Sequence, residues 1–236
     1  MSEPTWLPPE EEPWALSLVV RVERDAPPAH TDVLVSAARA VVALLVDERT
    51  TDPEGAFHDA VARWRGQRIR KIGRRARGSR WERTADLPHV EARSGSAQVR
   101  AFAPHPRDDA PTVLRDLQVG GLELTDPDPP LRDHGQSATR PPRQPVLTVR
   151  LAPGVAMSTG KAVAQVGHAA QLALERLDRA AVAAWLAGAE PDVATGLAVV
   201  VVQGAPVLPA SRRVDVRDAG YTEVAPGTVT VSAGFE

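Results

Sequence analysis

WALSLVVRV (Trp14–Val22) and VLTVRL (Val146–Leu151) decide the fold. Each is a short apolar run rich in β-branched residues, which reads as a strand, and Arg21 and Arg150 stand in matching places. A brief loop follows each, then an alanine- and valine-rich helical stretch, roughly 31–45 and 158–177. A second helical stretch carries nearly the same phrase in both halves, AVARW at Ala60–Trp64 and AVAAW at Ala181–Trp185. Each half then runs from an aspartate through a turn into a strand, Asp86 to Phe102 and Asp218 to Gly234, with Gly95 matching Gly227, Ser96 matching Thr228 and Val99 matching Val231. The separation of partners is 129 at the first strand and 132 at the last, and shrinks to 121 at the tryptophans, which implies a length change in the middle. The shared order of features reads as a duplicated domain.

The strand, helix, helix, strand order predicts an α/β sandwich with a mixed sheet. LAVVVV (Leu197–Val202) is a continuous apolar run, expected of a strand buried on both faces. Ala225-Pro226-Gly227-Thr228 lies between two strand-like pieces, Thr222–Val224 and Thr228–Ala233. Proline followed by glycine suits a type II turn, so a hairpin is expected here. Thr125–Pro145 is polar and proline-rich and reads as an extended linker. The expected organisation is therefore a duplicated pair, 14–124 and 146–236, joined by a linker 125–145.

Composition narrows the function classes. The chain contains no cysteine, which excludes disulfides, a thiol nucleophile and cysteine-based metal sites. There is no run of 18 apolar residues to span a membrane, and the acidic, proline-rich start MSEPTWLPPEEEPW does not read as a signal peptide. A cytoplasmic protein without membrane partners is the simplest expectation. The net charge of −2 conceals a basic stretch from Gln67 to Arg83. Arg68, Arg70, Lys71, Arg74, Arg75, Arg77, Arg80 and Arg83 stand there against Glu82 alone. Such a cluster suits a nucleic-acid backbone, and equally a solvated surface. Lysine is scarce: Lys71 and Lys161 are the only two.

Lys161 falls in the first turn of the long C-terminal helix, behind the candidate caps Ser158 and Thr159. A cation there opposes the helix dipole by about 0.3–1 kcal/mol, so its placement calls for another reason. Gln165 and His168 follow at i+4 and i+7, on one stripe with Lys161. Such a stripe is more often a solvent face than a site. Gly154 to Lys161 imitates a phosphate-binding loop, but it has five intervening residues instead of four, and Ala162 stands where a magnesium-holding hydroxyl is needed. At the other end, Asp218 enters the expected hairpin, with Thr222 and Thr228 beside it.

MSTGKAVAQVGHAA (Met157–Ala170) and DAGYTEVAPGTVTV (Asp218–Val231) together resemble the two signature segments of the type 2 peptidyl-tRNA hydrolases. The resemblance covers Val146 to Glu236. It implies a three-layer α/β/α fold with a mixed sheet, and hydrolysis of the ester that joins a peptide to the 3′ end of tRNA. No metal cluster is evident in the sequence, so no cofactor is expected. By motif the resemblance implies catalytic Lys161, Asp218, Thr222 and Thr228, with substrate contacts from Gln165, His168 and Tyr221. Arg68, Arg70, Lys71, Arg74, Arg75 and Arg77 are the candidate tRNA contacts. Members commonly form homodimers, so this chain is expected to hold both subunits covalently, as an intrachain pseudo-dimer, and to be monomeric.

Departures accompany the likeness. At the positions of Lys161, Gln165, His168 and Thr222 the N-terminal half has Asp32, Ser36, Arg39 and Val90, so that half is expected to be inactive; Asp86 and, loosely, Ser96 persist. Asp108–Leu124 resembles the family's closing helix and strand, which the C-terminal half lacks. Tyr221 and Gln203 replace usual basic residues, and the interval from Gln203 to Asp218 is too short for the usual helix. Two rival readings stand beside hydrolysis: a catalytically inactive tRNA- or partner-binding descendant, and a hydrolase or transferase acting on a smaller, non-tRNA substrate.

Overall fold

The computed structural model describes residues 12–67, 69–127, 145–189, 193–220 and 223–236. The N-terminal half contains β1 (Trp14–Arg21), α1 (His30–Val46), α2 (Glu48–Thr51), α3 (His58–Arg65), β2 (Arg70–Ala76), α4 (Gly78–Arg83), β3 (His89–Ser94), β4 (Ala97–Phe102), β5 (His105–Pro106) and α5 (Thr112–Arg115). The C-terminal half contains β6 (Leu147–Leu151), α6 (Thr159–Glu175), α7 (Arg179–Ala187), α8 (Val193–Gly196), β7 (Val199–Gln203), β8 (Val214–Arg217) and β9 (Val229–Phe235).

Two mixed sheets result, and their plans coincide. One runs β2-β1-β4-β3, with β5 paired to β1, and the other runs β7-β6-β9-β8. In each, the first two strands of the half are parallel and the remaining pairs are antiparallel. The repeated tryptophans do the same work in both halves. Trp64 and Trp185 are fully buried. Their indole N–H groups donate to Arg70 O at 2.9 Å and Ala198 O at 3.4 Å, at the entrance to β2 and β7. A buried indole needs such a partner, and here it ties the second helical stretch to the strand that follows.

The two long helices lie between the sheets. α1 packs on β3 and β4 of its own sheet and on β7 of the other; α6 packs on β8 and β9 and on β2. Leu16, Leu18 and Val20 of β1 and Leu147, Val149 and Leu151 of β6 face this common core. The opposite face of the first sheet carries Val19, Ala76 and Phe102, which pack with Trp81 of α4 and with Leu114 and Leu117 in and beside α5. On the second sheet, Thr148, Arg150 and Ser232 face a shallow hollow lined by Val207, Leu208 and Arg213. Arg150 is paired there with Glu236 at 3.1 Å.

This arrangement corrects three expectations. Leu197–Val202 is not a strand buried on both faces: β7 is a sheet edge, with Val199 and Val201 buried but Val200 and Val202 half-buried. The hairpin partner of β9 is β8, upstream of the expected Thr222–Val224 piece. The turn itself is as expected, with Gly227 at φ +79° and Thr228 N donating to Ala225 O at 3.2 Å. Finally, Asp86 and Asp218 are not equivalent. Asp86 precedes β3, whereas Asp218 follows β8 inside the hairpin. Most of the expected linker lies outside the described residues, but its first part is fixed: Thr31 N and Oγ1 donate to Asp126 at 2.7 and 2.6 Å.

Close approach of the halves depends on glycine at two places. A Cβ on Gly73 of β2 would stand 2.7 Å from Gly160 O, and one on Gly167 would stand 3.1 Å from both Val41 and the Lys71 side chain. Backbone oxygen yields little, so Gly73→Ala should push α6 off β2 at a cost of about 1–3 kcal/mol. Urea unfolding of the variant measures this, and unchanged stability would contradict the packing described.

Candidate functional site

The first turn of α6 begins at Ser158, whose Oγ accepts from Lys161 N at 3.1 Å. The cap exists as the sequence suggests, and it directs Lys161 toward the β8–β9 loop. The Lys161 ammonium forms an ion pair with Asp218 Oδ2, and their side chains are only 12% and 5% exposed. One turn further on, Gln165 Nε2 donates to the same Oδ2 at 2.7 Å. Thr230 Oγ1 donates to Gln165 Oε1 at 2.8 Å, which fixes the amide's orientation. The second Asp218 oxygen, Oδ1, accepts from Gly220 N at 2.7 Å. Glu223 closes the loop over the cap, accepting from Ser158 N at 2.7 Å and Ser158 Oγ at 2.6 Å.

Burial raises the Asp218 pKa, but the Lys161 and Gln165 hydrogen bonds, the Gly220 N–H and the lysine charge outweigh it and hold the group below the ordinary aspartate value. A carboxylate so stabilised is a weak proton acceptor. Its chemistry is to fix an ammonium and to orient a donor. The ammonium in turn is a fixed positive charge in a nearly dry site, where it stabilises a phosphate or a developing oxyanion more strongly than in water.

Lys161, Gln165 and Asp218 are therefore brought together. Thr228 adjoins them through the backbone, its O accepting from Asp218 N at 2.9 Å. Tyr221 and Thr222 lie outside the described residues. Thr230 and Glu223 were not singled out from sequence. Thr230 stands in β9 between Val229 and Val231, where a polar residue in an apolar strand was the available signal, and it is fully buried.

His168 lies away from the carboxylate, at the junction of the halves. Its Nδ1 is 3.2 Å from Lys71 Nζ of the N-terminal half. Lys71 also donates to Gln171 Oε1 at 2.5 Å and stands 4.7 Å from the Trp64 ring centre. Gln171 Nε2 passes the chain on to Glu175 at 2.9 Å, which meets Arg65 at 3.4 Å. The polar stripe of α6 is thus a buried seam and not a solvent face. Burial depresses the Lys71 pKa, against the pull of Glu175. Burial, with Lys71 and Lys161 nearby, depresses that of His168, so the ring is neutral at pH 7.

The basic stretch does not form one surface. Lys71 and Arg74 are buried, the latter with Nε 3.3 Å from Ser17 Oγ, so neither presents to a phosphate. Arg70 and Arg75 are half-buried, Arg75 being held by Gln118; Arg77, Arg80 and Arg83 are exposed, and Arg68 lies outside the described residues.

In the N-terminal half the corresponding helix position is Asp32, fully buried. Asp32 Oδ2 accepts from Ser96 N at 2.8 Å and Ser96 Oγ at 2.9 Å. Ser36 is buried, and Arg39 donates to Leu197 O at 2.9 Å and Arg93 O at 2.8 Å. The hairpin between β3 and β4 is a two-residue turn, Gly95-Ser96, with Gly95 at φ +48°. No loop equivalent to residues 218–228 is present.

Among the described residues no cluster of histidine and acidic side chains is arranged to hold a metal, and no helix is long and apolar enough to cross a membrane. Searches of protein-family models, curated proteins and solved structures found no match.

The depressed His168 pKa fixes the sign of a pH effect. Unfolded histidine titrates near about 6.5, so below that pH the unfolded chain binds more protons than the folded one and stability falls as pH falls. Unfolding free energy measured from pH 7 to 5 should decrease, and His168→Gln should show a shallower slope. An identical slope would place the His168 ring in water.

Proposed function

We propose that this protein hydrolyses the ester between tRNA and a peptide or N-blocked amino acid, in a site built on Lys161, Gln165 and Asp218. The observation that carries the reading is the buried Lys161–Asp218 pair at the start of α6, fixed by Gln165. Those three residues belong to the two sequence phrases that resemble type 2 peptidyl-tRNA hydrolases. The three-layer α/β/α unit that the resemblance implies is the frame in which the C-terminal half is read.

In this mechanism Lys161 supplies the positive charge, held toward the terminal phosphate or the oxyanion of the tetrahedral intermediate. Asp218 holds the ammonium and orients the attacking water; its low pKa makes it a weak base, so the water's proton passes to the 3′-oxygen of tRNA as the ester C–O bond breaks. Gln165 keeps the carboxylate in register. Thr228 supplies a hydroxyl beside the loop, and the resemblance adds a second hydroxyl from Thr222 and a substrate contact from Tyr221. His168, facing Lys71, acts through the position of α6 and not on substrate. The exposed Arg77, Arg80 and Arg83 are the better candidates for tRNA phosphates than the buried Lys71 and Arg74. The N-terminal half is non-catalytic, since Asp32 and Ser96 fill the place of the ion pair. The cytoplasm is the compartment in which this substrate arises.

Purified protein should release N-acetyl amino acid from N-acetyl-aminoacyl-tRNA. Lys161→Gln and Asp218→Asn should each lower kcat/KM by about 100-fold or more. Cleavage at wild-type rates in both variants would discard the site. Salt-dependent tRNA binding without cleavage would instead favour an inactive binding protein, and cleavage of small esters without a steep salt slope would favour a non-tRNA substrate.

A further inference from the structure

The first turn of α6 is held from two sides, and one side belongs entirely to the N-terminal half. Toward the C-terminal hairpin the turn meets Glu223 and Asp218. Toward the other side, Thr159 is 1% exposed, and its Oγ1 accepts from Leu124 N at 2.9 Å and hydrogen-bonds His30 Nδ1 at 3.0 Å. Gly160 N donates to Leu122 O at 3.3 Å. The strap of residues 122–126 is itself anchored, with His30 N donating to Thr125 O at 3.3 Å and Thr31 bound to Asp126. Gly73 forms the floor under Gly160, and Lys71 grips the same helix two turns on, at His168 and Gln171.

We propose that the N-terminal half completes the site of the C-terminal half, with His30 and the Leu122–Leu124 strap acting as positioning groups that set Lys161 against Asp218. The inference takes the importance of that pair from the function proposed above. The physical reason is leverage. Thr159 is two residues from Lys161, so a shift of the first turn moves the ammonium directly, while Asp218 keeps its own anchors in Gly220 N, Thr228 O and Gln165 one turn further on. Burial lowers the His30 pKa, which keeps the ring neutral and its Nδ1 able to accept the Thr159 hydroxyl.

The test compares full-length Thr159→Val, Thr159→Ser and His30→Ala. The readouts are the Asp218 carboxyl titration followed by NMR and the kinetics on N-acetyl-aminoacyl-tRNA. Thr159→Val and His30→Ala should shift the Asp218 midpoint upward and lower kcat on the order of ten- to a hundredfold, while near-ultraviolet tryptophan signals stay native. Thr159→Ser, which keeps the hydroxyl, should retain both properties. If Thr159→Val does not fold, His30→Ala, which leaves the Thr159–Leu124 bond in place, carries the same readout. A folded Thr159→Val or His30→Ala protein with the wild-type Asp218 titration would overturn the proposal. The titration needs no turnover, so a wild-type protein that leaves the tRNA ester intact would sink the hydrolase reading while this one is still decided.

Discussion

Helix α6 is enclosed between two sheets, and this enclosure governs most of what the C-terminal half does. A helix packed this closely leaves little room where it meets its neighbours, which explains Gly73 of β2 beneath the Gly160 carbonyl and Gly167 against the Val41 and Lys71 side chains. It must also satisfy every polar side chain it carries, since an unpaired buried group costs about 1–3 kcal/mol. Gln165 answers to Asp218 and Thr230, His168 and Gln171 to Lys71, and Lys161 to Asp218. The polar stripe thus joins the candidate site to the other half of the chain along one helix.

The two halves solve the same local problem with opposite charges. Each long helix begins beside a hairpin, and each bridges to it through the third residue of the helix. In the N-terminal half an aspartate there accepts hydrogen bonds from a two-residue turn. Its charge agrees with the helix dipole. In the C-terminal half a lysine there opposes the dipole and needs the aspartate of a longer loop to hold it. The first arrangement is a lock that the dipole favours; the second retains a cation against local preference. Such violations concentrate where a protein binds or reacts. The asymmetry is the physical ground on which the proposed chemistry is placed in the C-terminal half.

Much of this was legible in the sequence where a repeated pattern carried it. The strand and helix pairs, the tryptophans and the Pro226-Gly227 turn were all read from recurrence and turn chemistry. The convergence of Lys161 with Asp218 was legible only through resemblance, because 57 residues separate them and no local rule joins them. What escaped was set by tertiary context. VVVV is equally compatible with a central strand and with an edge whose one face is buried. The equation of Asp86 with Asp218 failed because the hairpins differ in length, so sequence order ran past the strand that the pairing identifies. Lys71 looked like one more member of a basic run, yet it sits within β2 against α6 and is buried there, while Arg77, just past the end of the strand, stays in water.

The electrostatics of the pair limit what mechanism the site supports. A general base works best with a pKa near the working pH, and Asp218 moves the other way because three donors stabilise its charged form. Raising it would require loss of the Lys161 contact, and that would also scatter the ammonium. Proton abstraction and charge placement therefore compete for one carboxylate, and the observed hydrogen bonds favour placement. An ester, whose alkoxide leaving group and tetrahedral oxyanion both gain negative charge, is the kind of substrate for which a fixed cation alone supplies a large part of the acceleration. A site of this kind depends on how rigidly the ammonium is held, which returns the weight of the argument to the first turn of α6 and to the residues of the N-terminal half that grip it.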